Sequence, residues 1–263
     1  MGFCSLWSNV PPVKLPDLVK YLNSVLRIDE IRDYPNAMNG LQVENEGEVT
    51  KVATAVDACE ATIAMAVEAG ADLLIVHHGL FWGGLAPVSG SSYRKLRMAI
   101  ENGLAIYSAH LPLDAHPRLG NNVLLCDSLD LNGDRVPFLD HFGTPIGFRV
   151  VDEINREVLH SRIEQLVGGH VHLAAGGPVV ARQIGVVSGG AGSDIAAAVK
   201  EGIDTFITGE GPHWAYTAAE ELGVNLFLAG HYATETFGVK ALGEHLTEAF
   251  GLPWEFLDHP TGL

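Results

Sequence analysis

Apolar and polar positions along the chain switch between two periods. Leu15–Leu26 carries apolar residues at helical spacing and predicts a surface helix. Residues 27–48, with Pro35, Gly40 and Gly47 among polar residues, read as a connector holding one short strand, Gly40–Val43. Val49–Val56 reads as a buried strand. Asp57 then opens a helix, with Glu60 completing a capping box, and the helix stops at Gly70. The apolar run Ala71–Val76 is the next strand, and β-α-β order favours a parallel pair with a right-handed crossover. A helix over 92–102 and a strand over Leu104–Ala109 follow. Further on, a strand over Gly147–Val151 and a helix over Glu153–Val167 precede the Gly-rich stretch 168–177.

The pattern repeats. Ala66–Gly79 lies over Ala198–Gly211 at an offset of 132, with Ala, Val, Gly, Asp, Ile and Gly identical. Glu101–His110 lies over Glu221–Gly230 at an offset of 120, and the strand Val49–Val56 aligns roughly with Val180–Val187. Two matches in the same order predict a duplication, each half a strand–helix–strand–helix–strand unit. The expected fold is α/β. Residues 1–130 with 231–263 make the first half, and residues 131–230 make the second.

The chemistry falls at the strand ends, where α/β proteins place their sites. His77 and His78 close the Ala71–Val76 run. Neighbouring strand residues point to opposite faces, so a shared site requires the strand to end between them, a turn that Gly79 permits. Leu104–Ala109 leads into His110-Leu111-Pro112-Leu113-Asp114, and the equivalent loop of the second half holds His231 and Glu235. Four strand ends around one cleft would gather His77, His78, Asp114, His231 and Glu235. Three imidazoles and two carboxylates suit a pair of first-row divalent ions, Zn, Fe, Mn or Co, better than Ca or Mg. A carboxylate can bridge two such ions. His110, His116, Glu210 and His213 are candidates for orienting the ligands.

Composition narrows the function. The chain has 263 residues and a formal net charge of −16, which argues against nucleic-acid and anionic-membrane partners. Cys4, Cys59 and Cys126 form no CxxC pair and read as reduced thiols of a cytoplasmic protein. Residues 1–13 read as a loose leader without signal-peptide character, and no apolar run is long enough to span a bilayer. Gly189-Gly190-Ala191-Gly192 follows a strand and precedes a helix, but it lacks a Walker lysine and reads as turn chemistry rather than a phosphate cradle. His170-Val171-His172 has metal-ligand spacing but lies outside the repeat and reads as a loop. His141, His160, His245 and His259 read as surface or packing residues. Trp82 and Trp214 follow equivalent strand ends and read as wall packing, with ring stacking as the alternative. Asp72 and Asp204 align and read as structural.

HHGLFW, HLPLDAHPRLGNN, ITGEGPHWAY and AGHYATE, in this order, resemble the Nif-three-like dinuclear-metal proteins, labelled GTP cyclohydrolase I type 2 homologs. The resemblance implies metal ligands at His77, His78, Asp114, His231 and Glu235, the set that the repeat selects. It implies two intertwined, duplicated halves with mixed sheets and a homohexamer whose metal sites face an internal cavity. Residues 131–178 are too few for the domain that some members insert, so the compact form is expected. The expected function is a metal-dependent hydrolase of a nucleotide- or pterin-like small molecule, with two ions (Zn, Fe or Mn) per chain and His110 or Glu210 moving protons. The alternative is a non-catalytic metal-binding, metal-delivery or regulatory protein.

Overall fold

A computed structural model describes residues 11–84 and 86–263; most of the stretch read as a leader lies outside them. The chain divides into two compact units, one of residues 1–112 and 239–259, the other of residues 113–238 and 260–263. Each is built on its own mixed sheet.

The first unit has a five-stranded sheet in the order Trp254–Phe256, Val52–Asp57, Leu73–His78, Ala105–Ser108, Gly40–Val43. The first four strands run parallel and the last is antiparallel. Leu73, Leu74, Ile75 and Val76 are all fully buried. An apolar run with no polar alternation is what a parallel strand covered on both faces requires. The expected first helix forms over Leu15–Leu26 because Leu15, Leu18, Leu22 and Leu26 line one buried stripe, with Pro16 in the first turn and Arg27 as a left-handed cap.

The second unit has a six-stranded sheet in the order Asp134–His141, Thr144–Asn155, Val180–Val186, Thr205–Thr208, Asn225–Leu228, His172–Ala175. The strands Val180–Val186, Thr205–Thr208 and Asn225–Leu228 are joined in parallel, so both units share a parallel trio edged by an antiparallel strand. The register makes the duplication explicit. Val52 pairs with Leu73 and Leu73 with Ala105; Ile184 pairs with Thr205 and Thr205 with Asn225. These are the 132 and 120 offsets of the alignment. The first strand slips by one residue from the rough match, since Val52 answers to Ile184; in a strand, that slip would exchange the two faces.

The equivalence reaches individual hydrogen bonds. Asp72 Oδ2 accepts the N–H groups of Thr50 at 2.6 Å and Lys51 at 3.1 Å. Asp204 Oδ2 accepts those of Arg182 and Gln183, both at 3.0 Å. Each aspartate ties the entry of one strand to the start of the next, a structural role. We expect Asp72→Ala and Asp204→Ala each to lower stability by about 1–3 kcal/mol, the cost of stranding backbone donors, without changing metal content. Chemical denaturation and elemental analysis check both halves of the statement.

Three local readings are corrected. The helix after Val52–Asp57 begins at Glu60, not Asp57: Cys59 is its N-cap, in a reciprocal box with Thr62. Asp57 stays in the strand because its carboxylate is engaged by His78. The strand expected over Gly147–Val151 extends over Thr144–Asn155 and displaces the helix start to Arg156, capped by Asn155. Its hairpin partner, Asp134–His141, carries no turn signal in the sequence, because the positive-φ pair at the tip is Phe142-Gly143 rather than Asn-Gly. Finally, the Leu73 strand runs through both histidines to His78 and does not end between them. Cys126 is fully buried, which pushes its thiol up to about 12, and among the described residues no helix is long and apolar enough to cross a membrane.

Candidate metal centre

In the first unit, His77 and His78 are the last two residues of their strand, yet their ring centroids lie 4.8 Å apart. The ladder to Ala105–Ser108 stops at Val76, before the histidines, whereas Asp57 still pairs with His78 on the other side. At this half-released end both rings turn to one place. His110, just past the end of the neighbouring strand, joins them: its ring is 4.9 Å from His77 and 5.6 Å from His78. Each of the three imidazoles offers one nitrogen within 4.8 Å of the others.

Their partners define the proton positions. His77 Nδ1 lies 2.9 Å from the carbonyl oxygen of Ala109, which can only accept, so Nδ1 carries the proton and Nε2 presents the lone pair. His78 Nδ1 lies 2.9 Å from Asp57 Oδ1, and His110 Nδ1 lies 3.0 and 3.1 Å from the two Asp33 oxygens. The Asp33 carboxylate also accepts from the backbone of Tyr34 and Leu111 and from the Asn39 amide. Burial works to raise the Asp33 carboxyl, but the His110 and Asn39 contacts outweigh it and hold it below the usual range.

In the second unit, His231 opens a one-turn helix, His231–Thr234, and Glu235 stands at the break before the helix Thr236–Phe250. The four-residue spacing puts both on one side: His231 Nε2 lies 3.2 Å from Glu235 Oε1. His231 Nδ1 lies 2.9 Å from Glu210 Oε1, which repeats the imidazole–acceptor arrangement of the first unit. Glu235 is 3% exposed and Asp114 6%. Asp114 Oδ1 accepts from the Asn121 amide at 2.8 Å and the Ser188 hydroxyl at 3.3 Å. Gly189, at φ +66°, lies against this set: a Cβ there would collide with Glu235 Oε1 and sit 3.3 Å from His231 Nε2. Its carbonyl accepts from Gly209 N, Glu210 N and Thr208 Oγ1, so the glycine loop is turn chemistry that braces the strand end.

The repeat equates the loops but not the residues within them. The short helices Leu111–Asp114 and His231–Thr234 stand at the offset of 120, so Asp114 answers to Thr234 and His110 to Gly230. Of the orienting candidates, His110 and Glu210 sit with the donors. His116 instead accepts the N–H groups of Arg118 and Leu119 and closes its own turn, and His213 is exposed at the start of its helix. Asp33 and Asp57 were missed by sequence reasoning. They stand 77 and 21 positions from the histidines they hold, and neither lies in a motif.

The set fits divalent metal. Imidazoles with the far nitrogen anchored to a carbonyl or carboxylate, beside buried carboxylates, are the chemistry of first-row sites and of the shell that orients their ligands. At Gly189 the space that a side chain would fill is taken by the Glu235 carboxylate, beside His231 Nε2. In metal-free protein the His231 imidazole feels burial, which lowers its pKa, against the Glu235 and Glu210 carboxylates, which raise it to about 9. A raised histidine stabilises the fold fully below the unfolded pKa of about 6.5 and loses that contribution as pH climbs through the folded value. We therefore expect metal-free protein to lose stability between pH about 6.5 and 9 and Glu210→Gln to shrink the loss. Thermal melts across that window measure it.

A duplicated α/β chain that presents histidine and carboxylate donors at its strand ends is the class of protein these observations define. The family model described as Duf34/NIF3 (NGG1p interacting factor 3) matches residues 13–261, and the chain belongs to that family. A GTP cyclohydrolase 1 type 2 homolog of Deinococcus radiodurans is 42% identical over 250 residues, covering 94% of each chain. One from Pyrococcus horikoshii is 43% identical over 250 residues, covering 94% of this chain and 98% of its own. Among solved structures, a Thermus thermophilus protein superposes with a TM-score of 0.87 at 42% identity, covering 95% of this chain and all of its own. Reduced HcgD from Methanocaldococcus jannaschii superposes at 0.84 with 26% identity over the same shares.

Proposed function

We propose that His77, His78, Asp114, His231 and Glu235 hold two divalent ions per chain, of Zn, Fe or Mn, and that the protein is a hydrolase of a nucleotide- or pterin-like small molecule. The observation that carries the reading is the common anchoring of four imidazoles, each held at Nδ1 by a carbonyl or carboxylate oxygen, which leaves Nε2 as the nitrogen for an ion; at His231 that nitrogen faces Glu235 Oε1. Relatives named GTP cyclohydrolase 1 type 2 homolog support the substrate class. Bound divalent ions supply Lewis-acid polarisation and a more acidic water. The chain's own residues do the rest. His110 handles the proton, with Asp33 fixing its ring as an orienting group fixes a general base. Glu210 acts through His231, whose tautomer it sets. Asp114 is held in place by Asn121 and Ser188.

A metal-loaded sample screened for products from nucleotides and pterin-like compounds tests the proposal. The turnover found should fall about a hundredfold or more in Asp114→Ala. Two tightly held but exchangeable ions without turnover on any compound would favour the second reading, a metal carrier or regulator, which the same anchored imidazoles would serve equally well. We further propose a homohexamer, so that light scattering should return about six times the 28.1 kDa chain; a monomer at micromolar concentration would refute it.

A further inference from the structure

His170-Val171-His172 has no part in the donor set above. The helix Arg156–Val167 ends at Gly168, which takes a left-handed conformation, and the chain turns into the strand His172–Ala175, which among the described residues is hydrogen-bonded on one side only, to Asn225–Leu228. Val171 between the histidines is fully buried, while His170 and His172 are exposed. An extended backbone puts residues two apart on one side, and here the inward valine pins both imidazoles outward. Their ring centroids lie 4.7 Å apart at 82°.

Glu164, on the preceding helix, faces the pair. Its Oε1 lies 3.3 Å from His170 Nδ1, 3.6 Å from His160 Nε2 and 3.4 Å from the backbone nitrogen of Val171. His160 Nε2 lies 2.9 Å from the Val171 carbonyl and donates to it. That nitrogen is committed to the backbone, so His160 buttresses the segment. The remaining donors are His170, His172 and one carboxylate.

We propose that His170, His172 and Glu164 form a second, surface site for a borderline divalent cation, zinc, copper(II) or nickel(II). Two ligand atoms about 2.0–2.1 Å from a tetrahedral zinc stand about 3.3–3.4 Å from each other. The His170–Glu164 separation already has that value, and His172, exposed with its ring centroid 4.7 Å from that of His170, joins them by a turn of its side chain. Two imidazoles with one carboxylate select zinc, copper and nickel over calcium and magnesium. Solvent completes the coordination because both histidines are exposed, which makes the ion exchangeable, unlike one held by buried donors. The net charge of −16 favours cations at this surface as elsewhere.

Calorimetric titration with zinc, and electron paramagnetic resonance with copper(II), on the full chain test the site. The double variant His170→Ala/His172→Ala should bind one ion per chain fewer than the unchanged protein and lose the copper signal with two-nitrogen coupling. Glu164→Gln, which keeps an acceptor for the Val171 N–H, should weaken the same ion by about tenfold. Both histidines are exposed, so circular dichroism should be unchanged in every variant. Equal stoichiometry and affinity in the unchanged protein and the double variant would overturn the proposal, as would a copper signal that survives it. The count is a difference between two proteins, so it stands or falls apart from whatever the buried donors hold.

Discussion

Protein stripped of metal and titrated with manganese, which the surface histidines do not select, will take up two ions per chain, and Glu235→Gln will lower occupancy at both positions, whereas Asp114→Asn will chiefly weaken one. The two carboxylates differ in how they are held. Asp114 shares Oδ1 with the Asn121 amide and the Ser188 hydroxyl, neutral donors that an asparagine can keep in part. Glu235 is buried at the break between two helices, beneath Gly189 and against His231 Nε2, and its charge faces the donor nitrogen itself. A carboxylate shared by two dications offsets their repulsion, so its loss removes affinity from both. Glutamine keeps the shape and removes the charge, and we expect affinity to fall by about a hundredfold or more. Metal-free protein gives an independent readout. Glu235 is the foremost of the groups that raise His231 to about 9, so the His231 titration followed by NMR should move down in Glu235→Gln. Two ions retained at the affinity of the unchanged protein would end the bridging assignment.

What could be read in advance follows a physical division. Hydrophobic period is local, so the Leu15–Leu26 helix and the Gly40–Val43 strand emerge with their observed bounds. Duplication is written in composition, so the offsets found by aligning Ala66–Gly79 return as the sheet register. The donors lie at strand ends and within motifs, which made them legible. Their supports were not. Asp57 looked like a helix cap because aspartate before a helix usually is one; only the neighbouring strand, with His78 beside it, converts it to a histidine anchor. Asp33 lies in a connector without periodicity, and nothing nearby in sequence marks it. The Asp134–His141 strand was lost for the same reason, since its turn uses Phe142 where Asn would signal a hairpin. Local chemistry is visible in one dimension, and pairing across many positions is not.

Asp33→Asn should cost the most of any change outside the proposed ligands. The Asp33 carboxylate, 5% exposed, is filled on both oxygens. Oδ1 receives the Tyr34 N–H, Oδ2 receives the Leu111 N–H and the Asn39 amide, and His110 Nδ1 lies within reach of both. An asparagine offers one acceptor oxygen and points an NH2 at groups that are themselves donors. Whichever way the amide turns, at least one backbone N–H is stranded, at about 1–3 kcal/mol. His110 then loses the acceptor that fixes its proton on Nδ1, and its ring is no longer bound to present Nε2 toward His77 and His78. Removing such an orienting partner typically lowers metal affinity or activity by about 10–100-fold, and we expect that range here. The His110 Nδ1 proton resonance, shifted downfield by the carboxylate, should disappear in the same variant. Circular dichroism separates this from unfolding, since the Leu73–His78 strand and its neighbours are buried independently of Asp33. Should Asp33→Asn keep the His110 resonance, metal affinity and turnover of the unchanged protein, Asp33 would be no more than a connector residue and His110 would need another orienting group.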